Sequence, residues 1–285
     1  MKPLTLNQLS ENSLRVSKGK LIANGQEYDI PAIDFDVVFV MGRGYVSFDV
    51  LKVLYDIDVP LIHLALDGSV MSQLTHSNSQ RMTDGRIRLR QIRVVQNKEK
   101  CRQITNHIIR QKHRKSNYVL NRMNLPEINE LYEERQFASQ YFPRYLRRLS
   151  ELTGLEHHNR KTFDIKHNHA RDRLNAALNF GYSIIYQHVR KSLLSEGYEL
   201  TVGFDHVAKL YKEPLVYDIA ELLRWTVDLS LFNIHDQLNP KNFNVYGNRE
   251  FRCSIPLIHS IIDEIYSTID ENWFNSQLQW LRTEL

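Results

Sequence analysis

The sequence predicts an α+β protein with two domains: a small N-terminal β-rich domain of strands plus one helix, and a larger C-terminal all-α domain. Two observations predict this division. Up to residue 78, Val and Ile alternate with other residues in short runs that tight turns interrupt. After the polar stretch "THSNSQRMTDG", apolar residues recur at helical spacing instead. We therefore expect a β-rich domain at 1–78, a linker at 79–86 and a helical domain at 87–285.

Three runs predict the strands of the first domain: "SLRVSKGKLIANGQEYDIP", "FDVVFVMGRGYVS" and "VPLIHLALDGSVMSQL". Their Asn-Gly, Gly-x-Gly and Asp-Gly steps are typical of tight turns between strands. The segment "SFDVLKVLYDIDV" has apolar residues three and four apart, with Ser47 suited to the N-cap, and so predicts one helix. Because this domain carries no cluster of carboxylates and histidines, we expect it to form a dimer interface rather than to supply chemistry.

The helical domain is divided by polar or proline-containing breaks at "NLPE", "EHHNRKTFDIKHNHARD", "SEGYE", "LYKEPL" and "NPKNFNVYG". Strand signals between these breaks are nearly absent. We therefore expect helices throughout this domain.

Composition indicates a globular protein, since 42% of its 285 residues are hydrophobic. No run of eighteen apolar residues occurs, and "MKPLTLNQLSENSLRV" lacks the features of a signal peptide, so a cytoplasmic location is expected. Cys101 and Cys253 are far apart in sequence and are expected to be buried thiols.

Positive charge is concentrated between residues 81 and 122, although the whole chain carries a net charge of only +4. The basic residues are Arg81, Arg86, Arg88, Arg90, Arg93, Lys98, Lys100, Arg102, Arg110, Lys112, Arg114, Lys115 and Arg122, opposed by Asp84 and Glu99. Such a run is explained equally well by a solvated helical face or by a surface that binds nucleic-acid phosphates.

A carboxylate falls on an apolar stripe in "INELYEERQFASQYFPRYL", which predicts a helix. The stripe contains Leu131, Ala138, Phe142 and Tyr145, and Glu134 lies on it. A buried carboxylate needs a positive partner, which is either an arginine in a buried salt bridge or a metal ion. Pro143 predicts a kink, or a second helix that begins after Phe142.

A second group of acids lies in "VGFDHVAKLYKEPLVYDIAELLRW", which predicts a helix that begins near Pro214. Asp218 and Glu221 are one turn apart beside the apolar face, where they repel each other unless a cation neutralises them. Their oxygens suit Mg²⁺ or Mn²⁺, and an imidazole from His206 would favour Mn²⁺. A lone histidine is more often a core or surface residue than a ligand. With Glu134 and the basic surface, these residues nevertheless favour metal-assisted phosphoryl transfer on nucleic acid.

Polar residues also follow one face of the helix predicted for "DRLNAALNFGYSIIYQHVRKSLLSEGYE", with Asp172 as N-cap and Gly197 after its end. Asn175, Asn179, Tyr182 and Tyr186 form this stripe, which can bond either a neighbouring helix or a substrate. Gly181 within the helix predicts the close approach of a backbone or a ligand.

The preceding His-rich loop, 157–169, matches no standard zinc spacing, so phosphate contact or a surface role is favoured for it. Arg160, Lys161 and Arg171 of this region are further candidate DNA contacts.

Several segments resemble the family of the CRISPR adaptation integrase, CRISPR-associated protein one. "EERQFASQYF" is similar to its Glu-Gly-x-x-Ala-x-x-Tyr-aromatic motif, and "LNAALNFGYSII" to its Asn-Ala-x-Leu-Asn-Tyr-Gly-Tyr helix. "VGFDHV" followed by "PLVYDIAELLRW" resembles its Gly-x-x-His and Leu-Val-x-Asp-x-x-Glu-x-x-Arg pair. The resemblance extends over nearly the whole chain, although in the N-terminal part it rests on the strand pattern alone.

The resemblance implies that Glu134, His206 and Glu221 bind the metal, with Asp218 close by as a supporting acid. Apart from these ligands, Asp218 is the one spare candidate for a general base. Asn175, Asn179 and Tyr182 would lie near the same site. Members of the family join the 3′-hydroxyl of a short DNA fragment to a phosphodiester of the CRISPR repeat without ATP. They act as homodimers bridged by CRISPR-associated protein two.

Two features depart from the family pattern. Arg135 stands where the family often has Gly, and the His-rich loop replaces an arginine- and proline-rich approach. A stand-alone or casposase-like integrase, an inert DNA-binding scaffold and a plain metal-dependent nuclease therefore stay open as alternatives. The absence of a DNA-binding module after Leu285 favours the adaptation role slightly.

Overall fold

The computed structural model describes residues 2–7, 11–65, 69–74, 85–158, 170, 172–206, 213–246 and 250–285. The strands in these residues are β1 (Pro3–Leu6), β2 (Asn12–Ser17), β3 (Lys20–Ala23), β4 (Gln26–Asp29), β5 (Val37–Met41), β6 (Gly44–Val46), β7 (Leu61–Leu64), β8 (Val70–Leu74), β9 (Phe243–Tyr246) and β10 (Glu250–Cys253). The helices are α1 (Phe48–Asp56), α2 (Gly85–Gln96), α3 (Lys98–Arg122), α4 (Glu134–Thr153), α5 (Arg173–Ser195), α6 (Pro214–Ala220), α7 (Arg224–Asn233), α8 (Ile255–Thr268) and α9 (Glu271–Glu284).

The predicted fold class is confirmed, because strands with one helix precede a mostly helical region. The prediction that this second region is entirely helical is wrong. Strands β9 and β10 form an antiparallel hairpin there, in which Phe243 pairs with Cys253. Helix α2 starts at Gly85, so it includes two residues that the sequence pattern assigns to the linker.

The N-terminal strands form two four-stranded sheets, with strand orders β1-β5-β7-β8 and β4-β3-β2-β6. In the first sheet, β1, β5 and β7 are parallel and β8 is antiparallel at one edge. The continuous apolar run of β5 is buried on both faces. Val38 and Val40 pack in the core of the β-rich region, whereas Phe39 and Met41 belong to the core that the helices form. One face of this sheet is therefore part of the helical core.

Local capping follows the predictions. The Ser47 hydroxyl accepts from the Val50 N–H at 3.4 Å, and the Asp172 carboxylate accepts from the Asn175 N–H at 2.8 Å. Pro214 occupies the first turn of α6, where its missing N–H is not needed.

The predicted inward stripe of α4 is correct at Tyr145, whereas Ala138 and Phe142 are only partly buried and Leu131 is wrong. Leu131 lies before the helix and is 82% exposed. The residues that α4 buries are Phe137, Tyr141, Tyr145, Leu146 and Leu149. The error arose from placing the start of the helix too early, because Glu134 is its first residue. The helix is also continuous through Pro143, so no second helix begins there.

The acid-containing segment forms two helices rather than one, since residues 221–223 make a turn between α6 and α7. Nearby, the close approach predicted at Gly181 of α5 is made by a side chain of α7. A Cβ on Gly181 would lie 2.4 Å from Val227 Cγ1.

Replacing Gly181 by alanine is expected to lower the free energy of unfolding by about 1–3 kcal/mol, because the added methyl group overlaps Val227. Urea denaturation would measure this change. Gly85→Ala is the control, since a Cβ there has no neighbour within 4 Å. Trimming Val227 to alanine in the Gly181→Ala protein should restore part of the loss, and the absence of any such coupling would contradict the overlap.

Neither cysteine forms a disulfide. Cys253 is buried as expected, and burial raises the pKa of its thiol to about 12, whereas Cys101 is partly exposed. Among the described residues, no helix combines the length and the apolar character that spanning a membrane requires.

Candidate metal centre

Four segments of the chain meet around two carboxylates. The middle of α3 brings Lys112 and His113, and the first residue of α4 is Glu134. The turn after α6 carries Glu221, and the loop before α6 carries His206. The residues come from distant parts of the chain, so the fold alone brings them together.

Glu134 and Glu221 are joined through the ammonium group of Lys112. Lys112 Nζ contacts Glu134 Oε1 and lies 2.6 Å from Glu221 Oε2. The Lys112 side chain is 12% exposed and that of Glu221 is 11% exposed. The two carboxylates therefore share one largely buried cation.

The remaining oxygen of each carboxylate has its own partner. Arg224 Nη1 lies 2.9 Å from Glu221 Oε1, and His113 Nε2 lies 2.9 Å from Glu134 Oε2. The buried His113 ring stacks on Phe137, with the ring centroids 3.9 Å apart. Packing thus fixes the ring that holds Glu134.

His206 is held by Asp218 in a short loop. Asp218 Oδ1 lies 2.5 Å from His206 Nδ1 and accepts from the His206 N–H at 3.0 Å, while Oδ2 accepts from the N–H groups of Phe204 at 2.6 Å and Asp205 at 3.1 Å. Gly203 permits this approach, because a Cβ there would lie 2.8 Å from Asp218 Oδ2. With Nδ1 engaged by the carboxylate, Nε2 is the ring nitrogen that can bind a metal.

Electrostatics keep the acids ionised. Burial opposes this, but Arg224, Lys112 and His206 hold the pKa of Glu221 below its usual range. The pKa of Glu134 is also lowered, since His113 and Lys112 outweigh burial. Burial would lower the pKa of Lys112, yet Glu221 and Glu134 raise it above its ordinary value. Two carboxylates and an ammonium are therefore all charged in a poorly solvated place.

The residues present fit a hard divalent cation. Glu221 Oε2 is buried, and the group that faces it is the Lys112 ammonium, 2.6 Å away in an ion pair. Carboxylate oxygens and an imidazole nitrogen are suitable ligands for Mg²⁺ or Mn²⁺. In the described part of the chain, the group of potential ligands whose atoms all lie within 4.8 Å of one another is Asp205, His206 and Asp218. The structure thus brings Glu134 and Glu221 together at Lys112 and places His206 beside Asp218.

The polar stripe of α5 bonds to neighbouring segments. Tyr182 Oη donates to Asp228 Oδ1 at 2.7 Å, and Asn175 Nδ2 donates to Asp172 Oδ2 at 2.7 Å. Arg224 Nη2 donates to Tyr186 Oη at 2.8 Å, and its guanidinium lies 5.4 Å from the centre of the Tyr182 ring. The stripe therefore supports the arginine that holds Glu221. Asn179 is also engaged.

Three of the candidate DNA contacts, Arg160, Lys161 and Arg171, lie outside the described residues. Most of the His-rich loop does so as well. Of its first residues, His158 Nδ1 lies 3.3 Å from Asp172 Oδ2.

Helices α2 and α3 present the basic surface. Its exposed members are Arg86, Arg88, Arg90, Arg93, Lys98, Arg102, Arg110, Arg114 and Arg122. Lys112 instead turns inward to the carboxylates. A cleft of about 420 Å³, lined in part by Asn106, Arg110, Tyr132 and Asp205, opens beside Glu134. Glu134 therefore borders a cleft whose lining includes Arg110 of the positively charged face.

Comparison with known proteins places this arrangement in a family. The family model described as CRISPR associated protein Cas1 matches two overlapping stretches, residues 7–163 and 126–264. The chain belongs to the Cas1 family. A curated relative, the CRISPR-associated exonuclease Cas4/endonuclease Cas1 fusion of Leptospira interrogans, is 36% identical over 73 residues. That match covers 26% of this chain and only 13% of the relative.

Two solved structures share the Cas1 fold with this chain. A casposase bound to integration product superposes with a TM-score of 0.80 at 23% identity, over 95% of this chain and 83% of that one. A Cas1 protein from Thermotoga maritima superposes with a TM-score of 0.70 at 15% identity, over 98% of this chain and 96% of that one. The resemblance in the motifs is thus matched by a resemblance in fold across both regions.

Proposed function

We propose that this protein is a metal-dependent DNA integrase of CRISPR adaptation, with an associated endonuclease activity. It would join the 3′-hydroxyl ends of short DNA fragments to a CRISPR repeat by transesterification. The observation that carries the proposal is the convergence of two ionised carboxylates, the partly exposed Glu134 and the buried Glu221, next to the His206 loop and a basic surface. Membership of the Cas1 family supports the same chemistry.

Glu134, Glu221 and His206 Nε2 would hold Mg²⁺ or Mn²⁺, which supplies Lewis-acid polarisation of the phosphate and activation of the incoming hydroxyl. Asp218 orients His206, while Arg224 and His113 orient the two carboxylates. The arginines of α2 and α3 would position the duplex through its phosphates.

The joining reaction needs no external energy source, because the number of phosphodiester bonds does not change. The incoming 3′-oxygen forms a bond to phosphorus as the bond to the 3′-oxygen of the target strand breaks. The attacking hydroxyl loses its proton to solvent, and the displaced 3′-oxygen takes up one proton from solvent to leave as a 3′-hydroxyl. Asp218 is fully occupied by N–H donors, so orienting His206 suits it better than accepting this proton.

We further propose that the protein acts as a homodimer, through its β-rich domain, and assembles with CRISPR-associated protein two. The resemblance in the motifs supports both partners. Light scattering of the purified chain, alone and mixed with that protein, would measure the masses of the two assemblies.

The proposed activity predicts that Glu221→Gln abolishes joining. A labelled duplex with free 3′-hydroxyls would be incubated with Mn²⁺ or Mg²⁺ and supercoiled plasmids with or without a CRISPR repeat. We expect label on the repeat plasmid with wild-type protein, and none with Glu221→Gln, with a chelator or with 3′-deoxy ends. Glu151→Gln is the matched control and should join normally, since its side chain is 55% exposed on the same helix as Glu134.

Other outcomes would identify the alternatives. Release of fragments without joining indicates a nuclease, and binding that is indifferent to metal and to Glu221→Gln indicates an inert scaffold. Equal joining to plasmids with and without a repeat indicates a casposase-like or stand-alone integrase.

A further inference from the structure

Lys112 lies where a cation shared by Glu134 and Glu221 would lie. Its ammonium contacts Glu134 Oε1 and is 2.6 Å from Glu221 Oε2, and the side chain is 12% exposed. No sequence motif singles this lysine out from its basic neighbours. In the structure it is nevertheless the group through which the two carboxylates meet.

The other carboxylate oxygens have different partners. His113 holds Glu134 Oε2 at 2.9 Å, and Arg224 holds Glu221 Oε1 at 2.9 Å. A divalent ion that bridges the carboxylates must therefore reach the two oxygens that Lys112 holds. Oxygen ligands lie about 2.0–2.1 Å from Mg²⁺. An ammonium and a divalent ion also repel each other strongly at such separations, so both cannot occupy this position.

We propose that the Lys112 ammonium occupies the metal position in the metal-free protein, where it pairs Glu134 with Glu221. It is displaced from between these carboxylates when Mg²⁺ or Mn²⁺ binds. This inference rests on the metal site of the proposed function. It makes Lys112 a positioning residue that preserves the acidic site before metal arrives. It also means that Lys112 weakens metal binding, since each bound ion has to break two ion pairs.

If Lys112 formed only a structural salt bridge, stability and metal affinity would respond differently to its loss. Its removal would destabilise the protein and leave metal affinity unchanged, or weaken it because the carboxylates separate. If the metal displaces Lys112, removing the charge of Lys112 should instead tighten metal binding. Lys112→Met retains most of the length of the side chain without its charge, and Lys112→Arg retains the charge.

The test is calorimetric titration of Mn²⁺ into the folded, DNA-free full chain, together with the thermal midpoint with and without Mn²⁺. For Lys112→Met we expect a lower midpoint without metal, a larger rise of the midpoint on adding Mn²⁺, and an affinity tighter by roughly tenfold. Lys112→Arg should bind Mn²⁺ about as wild type does. Lys115→Met is the matched control, because the Lys115 ammonium lies over the rings of Trp225 and Trp273 rather than on the carboxylates.

A second measurement uses wild-type protein and does not depend on how the variants fold. Lys112 should react faster with an amine-acylating reagent when Mn²⁺ is present, as measured by mass spectrometry, while Lys115 should not change. Unchanged or slower acylation of Lys112, or Mn²⁺ binding that Lys112→Met fails to tighten, overturns this proposal alone. If neither wild type nor Lys112→Met binds Mn²⁺, the metal site of the proposed function fails, and this inference fails with it.

Discussion

Replacing Asp218 by alanine is expected to weaken Mn²⁺ binding by roughly 10- to 100-fold and to reduce strand transfer at least as much, although Asp218 is not a proposed ligand. Its carboxylate accepts three backbone N–H groups of residues 204–206 and holds His206 Nδ1 at 2.5 Å. Without it, these N–H groups lose their acceptor and the imidazole loses its orientation. The effect on the metal would therefore be transmitted through His206.

Two measurements separate this role from a general loss of stability. Calorimetric titration gives the Mn²⁺ affinity, and amide hydrogen exchange reports on residues 203–206. We expect faster exchange in this loop for Asp218→Ala and a smaller change for Asp218→Asn, which keeps one acceptor oxygen. Asp236→Asn, at an exposed position, is the control. Wild-type affinity and protected loop amides in the alanine variant would contradict the proposed positioning role.

The burial of two acids of the candidate site, Asp218 and Glu221, was predictable because their surroundings in the sequence are apolar. Asp218 and Glu221 interrupt a helical run of Leu, Val and Ile, and both are buried in the structure. Burying a polar side chain costs free energy unless it has hydrogen-bonding or charged partners, and both acids have such partners here.

The side chains that hold the carboxylates were not predictable in the same way. Lys112 and His113 belong to a segment of α3 that is rich in Lys, Arg and His, where a buried lysine has the same local sequence as an exposed one. Their inward direction depends on how α3 packs against α4 and the segment after α6. Arg224 could be placed near Glu221 by its spacing of three residues on a helix, but its bond to Tyr186 could not.

Element boundaries caused the remaining errors. Starting α4 before Glu134 moved the apparent inward stripe onto Leu131, although the true stripe through Phe137 and Tyr141 has the same helical spacing. Likewise, hydrophobic spacing continues through residues 215–226, so the turn at 221–223 left no signal in the apolar pattern. That turn nevertheless places Glu221 at the C-cap of α6, where it faces Lys112.

The largest loss of stability is expected on replacing Asp228 by alanine. Asp228 is 2% exposed on α7 and accepts hydrogen bonds from Tyr141 Oη of α4 and Tyr182 Oη of α5, both at 2.7 Å. Burial and the Asp228 charge raise the pKa of Tyr141 well above its ordinary value, so its hydroxyl stays a donor. Removing the acceptor of two buried hydroxyls is expected to lower the free energy of unfolding by roughly 2–6 kcal/mol, at about 1–3 kcal/mol for each.

This loss should extend to the candidate site, because the same helices carry its carboxylates. Helix α4 begins at Glu134, and α7 begins at Arg224, which holds Glu221. Urea denaturation of Asp228→Ala measures the stability, and Asp228→Asn, which can still bond both tyrosines, should lose less. Adding Tyr182→Phe to Asp228→Ala should recover part of the loss, since it removes a hydroxyl that has lost this acceptor. A wild-type unfolding midpoint for Asp228→Ala would mean that apolar packing and the hydrogen bond from Tyr145 Oη to the Asp228 backbone carbonyl suffice to hold α4 against α7, and that the distance between Glu134 and Glu221 does not depend on the Asp228 side chain.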